Sequence, residues 1–359
     1  MRKLGIARRR FHVIMAVKSS ARRRPPESPR TLPKPASTVS VELTALLIAV
    51  TDDEPRLLTI ENGAALPSGP FEQRHRSLQT GLRSWVERQT RHPLGYVEQL
   101  YTFADRDRMS GGPGGSRVIS IGYLALTREM ALTREAGGIG DEPASWQSWY
   151  RYFPWEDWRD GPPALVGKLI LPRLRHWVAG ADNRAVKRER TQRVEVDFGT
   201  GDERSWNEEL VLQRYELLYE AGLVPEAGRR GAAAAQTSGA KALPGKLITG
   251  QPMHHDHRRI LATGIARLRA KIKYRPVVFE LMPESFTLLR LQRSVEALAG
   301  RRLHKQNFRR LVEQQGLVEE TGALSTDTGG RPAKLMRFRR ELLRERSAMG
   351  TKLPLAPQG

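Results

Sequence analysis

Apolar residues recur along this chain in two rhythms, one suited to strands and one to helices, and the switches between them mark out its elements. VELTALLIAV (41–50) and RLLTI (56–60) read as two strands separated by the acidic turn TDDEP. A helix is predicted over 77–89. Strands follow over 96–103 and 117–127, joined by the loop ADRDRMSGGPGGS. This order predicts a mixed α/β domain. From 129 to 250 the pattern weakens. That stretch holds an aromatic cluster (Trp146, Trp149, Tyr150, Tyr152, Phe153, Trp155, Trp158), an amphipathic helix near 165–178 and another helix over 206–221. The tract GRRGAAAAQTSGAKALPGK is rich in Gly, Ala and Ser and is expected to be a mobile loop. A long helix over 256–273 then carries Ile260, Leu261, Ile265, Leu268 and Ile272 on one side, with Asp256 as its natural cap.

Residues 284–340 have the most specific pattern. Thr287 is placed to cap a helix whose Leu288, Leu291, Val295 and Leu298 fall at helical spacing before Gly300 stops it. A second helix, 305–315, keeps Phe308, Leu311 and Val312 for one face and Lys305, Gln306, Arg309 and Arg310 for the other, and Gly316 ends it. Leu317 and Val318, then Leu335, Met336 and Phe338, supply two short strands around a basic, glycine-tipped turn at 326–331. Two helices and such a hairpin make a winged helix-turn-helix. Its candidate DNA contacts are Arg301, Arg302, Lys305, Gln306, Asn307, Arg309 and Arg310, with Arg331 and Lys334 on the wing. Arginine and lysine suit phosphates and guanine, whereas Asn307 and Gln306 can form the paired hydrogen bonds that adenine accepts.

The charge distribution supports this reading. The 359 residues carry a net +21. Residues 1–35 hold 11 Lys and Arg against 1 acid, and residues 254–359 hold 22 against 10. The stretch between them has 27 basic and 28 acidic residues, so only the ends are built for a polyanion. No cysteine is present, which excludes disulfides and thiolate metal sites and fits a reducing cytoplasm. No apolar run approaches the roughly 18 residues of a membrane span. The arginine-rich start has too short an apolar patch (11–17) for a secretory signal and is expected to be a disordered basic tail, or Met15 is the true start. The expected organisation is a basic tail (1–37), a sensor core (38–129), an insert (130–253), a connector helix (254–275), the winged helix (276–345) and a tail (346–359).

DHRRILATGIARLRAKIKYRPVVFELMPESFTLLRLQRSVEALAGRRLHKQNFRRLVEQQGLVEETG resembles the C-terminal half of the Nudix-domain winged-helix repressors of NAD metabolism, the NrtR-like family. LGYVEQLYTFADRDR and RVISIGYLAL are similar to the central strands of that family's Nudix domain. The aromatic insert, with YFPWEDWR, is similar to the longer NadQ-like regulators of NAD synthesis. The resemblance implies a Nudix-like α/β/α sandwich with a mixed sheet plus the winged helix, a double-stranded DNA operator, and an effector such as ADP-ribose, NAD or a related nucleotide. It also places a Nudix box at GPFEQRHRSLQTGLRSWVERQT (69–90). An active box clusters carboxylates around magnesium to activate water. Here the register gives Arg83, Ser84, Trp85, Val86, Glu87 and Arg88, with one carboxylate surviving. Recognition without hydrolysis is therefore expected, with no cofactor and no catalytic residue.

The implied ligand contacts are Arg83, Arg106 and Arg108 for a diphosphate, Glu87 as the surviving carboxylate, and Tyr101 or Phe103 for base stacking. His254, His255 and His257 have ligand chemistry but adjoin a helix start, and no metal site is assigned. GGPGG (111–115) lacks the setting of a P-loop. Because one recognition helix reads only a few base pairs, a homodimer on a palindrome is expected. The rival expectation is a working hydrolase of nucleotide diphosphates with an accessory basic domain.

Overall fold

The computed structural model describes residues 39–105, 117–129, 144–199, 206–228, 250–273, 277–325 and 332–339. The basic tail, the GGPGG loop, Arg106, Arg108, the Gly/Ala/Ser tract, Arg331 and the C-terminal tail lie outside the described residues.

A six-stranded mixed sheet is built around β1 (Val39–Thr51). β1 pairs in parallel with β5 (Arg117–Leu126), and antiparallel with β2 (Glu54–Thr59) and the short β3 (Ser68–Pro70). β4 (Tyr96–Phe103) lies outside β5, and β6 (Ser145–Ser148) outside β2. The β1–β2 turn closes through Asp52 and Asp53 at φ 52° and 60°, a left-handed conformation that short carboxamide and carboxylate side chains tolerate.

Both faces of β1 are buried, so its run is apolar rather than alternating. Leu43, Ala45 and Leu47 face α1 (Leu78–Thr90), which contributes Leu82 and Val86. Leu46 and Ile48 face the opposite layer, led by α5 (His257–Ile272) with Ile260, Leu261, Ile265 and Leu268. The result is an α/β/α sandwich. α5 lies so close to β1 that a Cβ at Gly264 would overlap Leu46 Cδ2. Ser77 accepts from Thr80 N to cap α1, as the sequence implies. Asp256 does not cap α5, because its carboxylate turns to Arg259 at 3.2 Å.

The insert is helical. A π-helical turn (Val166–Ile170) leads into α2 (Leu171–Ala179), then α3 (Arg184–Phe198) and α4 (Val211–Glu220). At the carboxy-terminal end, α6 (Leu288–Ala299) and α7 (Lys305–Gln315) precede a sheet ordered β7 (Ser285–Phe286), β9 (Ala333–Phe338), β8 (Val318–Ser325). One apolar cluster runs without interruption from Leu46 and Ile48 of the sheet through Trp149 and Trp155 of the insert to Phe308, Val312 and Met336.

Candidate nucleic-acid interface

Local rules build the reading head. Thr287 accepts from Arg290 N, and Gly300 closes α6 at φ 73° in the left-handed region. Gly316 ends α7 in the same way at φ 57°. Phe308 and Val312 of α7 are buried against α6. The opposite side of α7 is thereby turned outward, and Lys305, Gln306, Arg309 and Arg310 are exposed. None of these three cations pairs with a carboxylate among the described residues. Asn307 is half-buried at the edge of this face. Three unneutralised cations and two amides within the first two turns of α7 form a surface suited to phosphates and base edges.

Other predicted contacts are engaged within the fold. Arg301 lies 3.6 Å from the buried Glu208, and Arg302 reaches Glu296 at 3.4 Å and Asp160 at 3.3 Å. Both sit in the α6–α7 turn and tie the head to the insert. On the wing, Lys334 pairs with Glu320 at 2.7 Å and Arg337 with Glu319 at 2.6 Å.

The residues expected to hold a nucleotide do not converge. Arg83 and Glu87 belong to α1, on one face of the sheet, whereas Phe103 packs into the core on the other. The Arg83 guanidinium donates to the carbonyls of Leu94 and Gly95, the latter at 3.0 Å, and so fastens the loop after its own helix. Glu87 is exposed. Tyr101 and Phe103 meet edge to face at 5.3 Å, but Tyr101 is 60% exposed and Phe103 only 3%. Phe103, with Arg259 over its ring at 5.4 Å, is taken up by the core, which leaves Tyr101 as the exposed ring of the pair. Among the described residues, no group of three or more His, Asp or Glu is placed to hold a metal ion. No helix there is long and apolar enough to cross a membrane.

Comparison with known proteins decides the nature of the head. The family model of the NrtR DNA-binding winged helix domain matches residues 278–338. The carboxy-terminal head thus matches a winged helix domain of the NrtR kind. An "ADPR responsive transcriptional repressor NtrR" from Acinetobacter baylyi is 43% identical over 83 residues, covering 23% of this chain and 33% of that protein. The match thus spans about a third of that repressor's length. Shewanella oneidensis NrtR complexed with a 27mer DNA is similar at TM-score 0.48 and 19% identity, covering 85% of this chain and 95% of that one. A MutT/nudix family protein from Enterococcus faecalis is similar at TM-score 0.46 and 15% identity, with 86% and 89% covered.

The winged-helix head is joined to the insert by a buried charged clamp that the sequence pattern did not reveal. Glu156, fully buried beside Trp155, accepts from Arg214 of α4 at 2.6 and 2.8 Å and from Arg269 of α5 at 2.6 Å. Burial pushes its carboxyl up, but the Arg214 and Arg269 guanidiniums outweigh that and hold it below its ordinary value. Trp206 stacks on Trp158 at 5.1 Å and lies 5.5 and 5.4 Å from the Arg214 and Arg269 guanidinium carbons. Arg269 also donates to Leu298 O at 2.9 Å, Tyr150 OH to Ala297 O at 2.6 Å and Trp158 N to Gly300 O at 2.7 Å. These bonds saturate carbonyls at the end of α6 that the helix itself leaves unsatisfied. The aromatic run with an embedded glutamate was the available signal, but its partners lie 58 and 113 residues away.

Proposed function

We propose that this protein is a cytoplasmic transcriptional repressor of NAD-biosynthesis genes, binding an operator as a homodimer through its winged helix. Its Nudix-like α/β domain senses ADP-ribose or a related pathway nucleotide and does not hydrolyse it. One observation carries the reading: the outward face of α7 keeps Lys305, Arg309 and Arg310 exposed, with no carboxylate partner among the described residues, in a head whose sequence is that of an NrtR winged helix domain. The name of the Acinetobacter baylyi relative, an ADPR-responsive repressor, supports the effector class.

Loss of hydrolysis follows from the donor set. A divalent cation needs several oxygen ligands, and Glu87 stands next to Arg88, which lies over Trp85 at 4.5 Å. Tyr101, Arg106 and Arg108 remain the proposed nucleotide contacts, with Tyr101 offering the ring, whereas Arg83 is committed to the carbonyls of Leu94 and Gly95. Effector and operator affinities are then coupled through the layer containing α5, since a ligand shifts an equilibrium only by its differential affinity for the two states.

The test measures operator binding with ADP-ribose, NAD and nicotinate mononucleotide present or absent. A change of about tenfold with one nucleotide is expected, the usual scale of such coupling. Identical affinity in every case would remove the sensing role. Magnesium-dependent release of AMP from ADP-ribose, abolished by Glu87→Gln, would favour the hydrolase instead.

A further inference from the structure

α3 is the element whose surface chemistry the fold does not explain. Arg184, Lys187, Arg188, Thr191, Gln192 and Glu195 recur at helical spacing and line one shallow depression of about 420 Å³. Its cations differ sharply from those on the body-facing side of the same helix. Arg190 stacks over Trp177 at 4.2 Å and donates to Trp177 O at 2.9 Å, and Arg193 pairs with Glu220 at 2.6 Å. Arg184, Lys187 and Arg188 are exposed and meet no carboxylate among the described residues.

This arrangement works against the helix. Like charges three and four residues apart repel, and cations near the helix start oppose its dipole, where no acid stands in the first turn. A polyanion relieves both costs at once.

The position favours one polyanion. Asp197 O, in the last turn of α3, accepts from Arg214 Nη1 at 3.1 Å, and Arg214 belongs to the Glu156 clamp that holds the winged-helix head. At 15 residues α3 is about 22 Å long, shorter than one turn of duplex at ~34 Å. The basic face is thus held within a turn of DNA from the clamp.

We propose that this face of α3 is a second DNA-contacting surface, gripping backbone phosphates of the duplex that flanks the half-site read by α7. The inference rests on the operator-binding reading above. It assigns the insert a share of affinity and none of the sequence recognition, because three cations in an open depression contact phosphates rather than base edges.

Fluorescence anisotropy with the full chain tests it, using a mixed-sequence duplex of about 12 base pairs, near one helical turn, and one of about 30. The triple variant R184A/K187A/R188A is expected to lose roughly tenfold in affinity on the long duplex. Its salt slope there should fall by about 2 to 3, at ~0.9 per phosphate neutralised, with the short duplex little affected. The charge-retaining variant R184K/R188K should keep the wild-type slope, and circular dichroism checks that α3 stays folded. A wild-type slope for the triple variant on the long duplex, or equal losses on both lengths, overturns the proposal. If R309A/R310A abolishes binding while the triple variant changes nothing, operator binding by the head stands and only this inference falls. Failure of the wild-type chain to bind the long duplex removes this inference and leaves sequence-specific reading by α7 to be judged on an operator.

Discussion

Arg269 Nη1 lies 2.6 Å from Glu156 Oε2, both side chains fully buried, and the same arginine donates to the last turn of α6. A single guanidinium therefore binds the insert, the long helix and the reading head. Glu156→Gln preserves shape but leaves two guanidiniums facing a neutral amide. Breaking a buried pair in this way costs about 3 to 5 kcal/mol. Urea unfolding should report a loss of that size, and a loss below about 1 kcal/mol would mean that water or another carboxylate replaces Glu156.

Gly264 allows α5 to sit directly on β1, and any side chain there meets Leu46. Gly264→Val is expected to destabilise the chain by about 1 to 3 kcal/mol through overpacking, despite the better helix propensity of valine over glycine. Thermal melting decides the sign. A stabilised variant would show that α5 can lift off the sheet at no cost.

Asp197 responds to pH. Burial raises its carboxyl from the ordinary 3.8 to about 6, against the opposing pull of Arg214 and Arg193. Between those values the folded chain holds a proton that the unfolded chain has released, so stability falls as pH rises through that window. Asp197→Asn should thus stabilise the protein at pH 8, by up to about 2 kcal/mol, and give no gain below about pH 4. A gain independent of pH would point to packing rather than ionisation.

Arg309 and Arg310 lie side by side on the outward face of α7. Replacing both by Ala should weaken operator binding and reduce its salt slope by about 0.9 for every phosphate that is no longer neutralised. Melting temperature should hardly move, since both side chains are exposed. An unchanged slope would remove α7 from the interface.

The winged helix was legible because its signals are local: a threonine cap, apolar spacing and glycines at both helix ends gave α6 and α7 their limits. Strands β1, β2, β4 and β5 showed equally well in their apolar runs. α3 escaped notice because charged residues crowd its 15 positions and only Val194 and Phe198, with Asp197, are buried, which is too sparse for an apolar stripe. β3, β6 and β7 are two to four residues long and take their form from partner strands. Candidate phosphate contacts fared unevenly for a related reason. Arginine number and sequence position cannot distinguish Arg309, which faces outward, from Arg301, which meets Glu208 across a distant loop.

The apolar cluster continues from sheet to wing without a break. Among the described residues, sheet, insert and reading head therefore share one close-packed core, so a void opened under any one of them is felt by the other two.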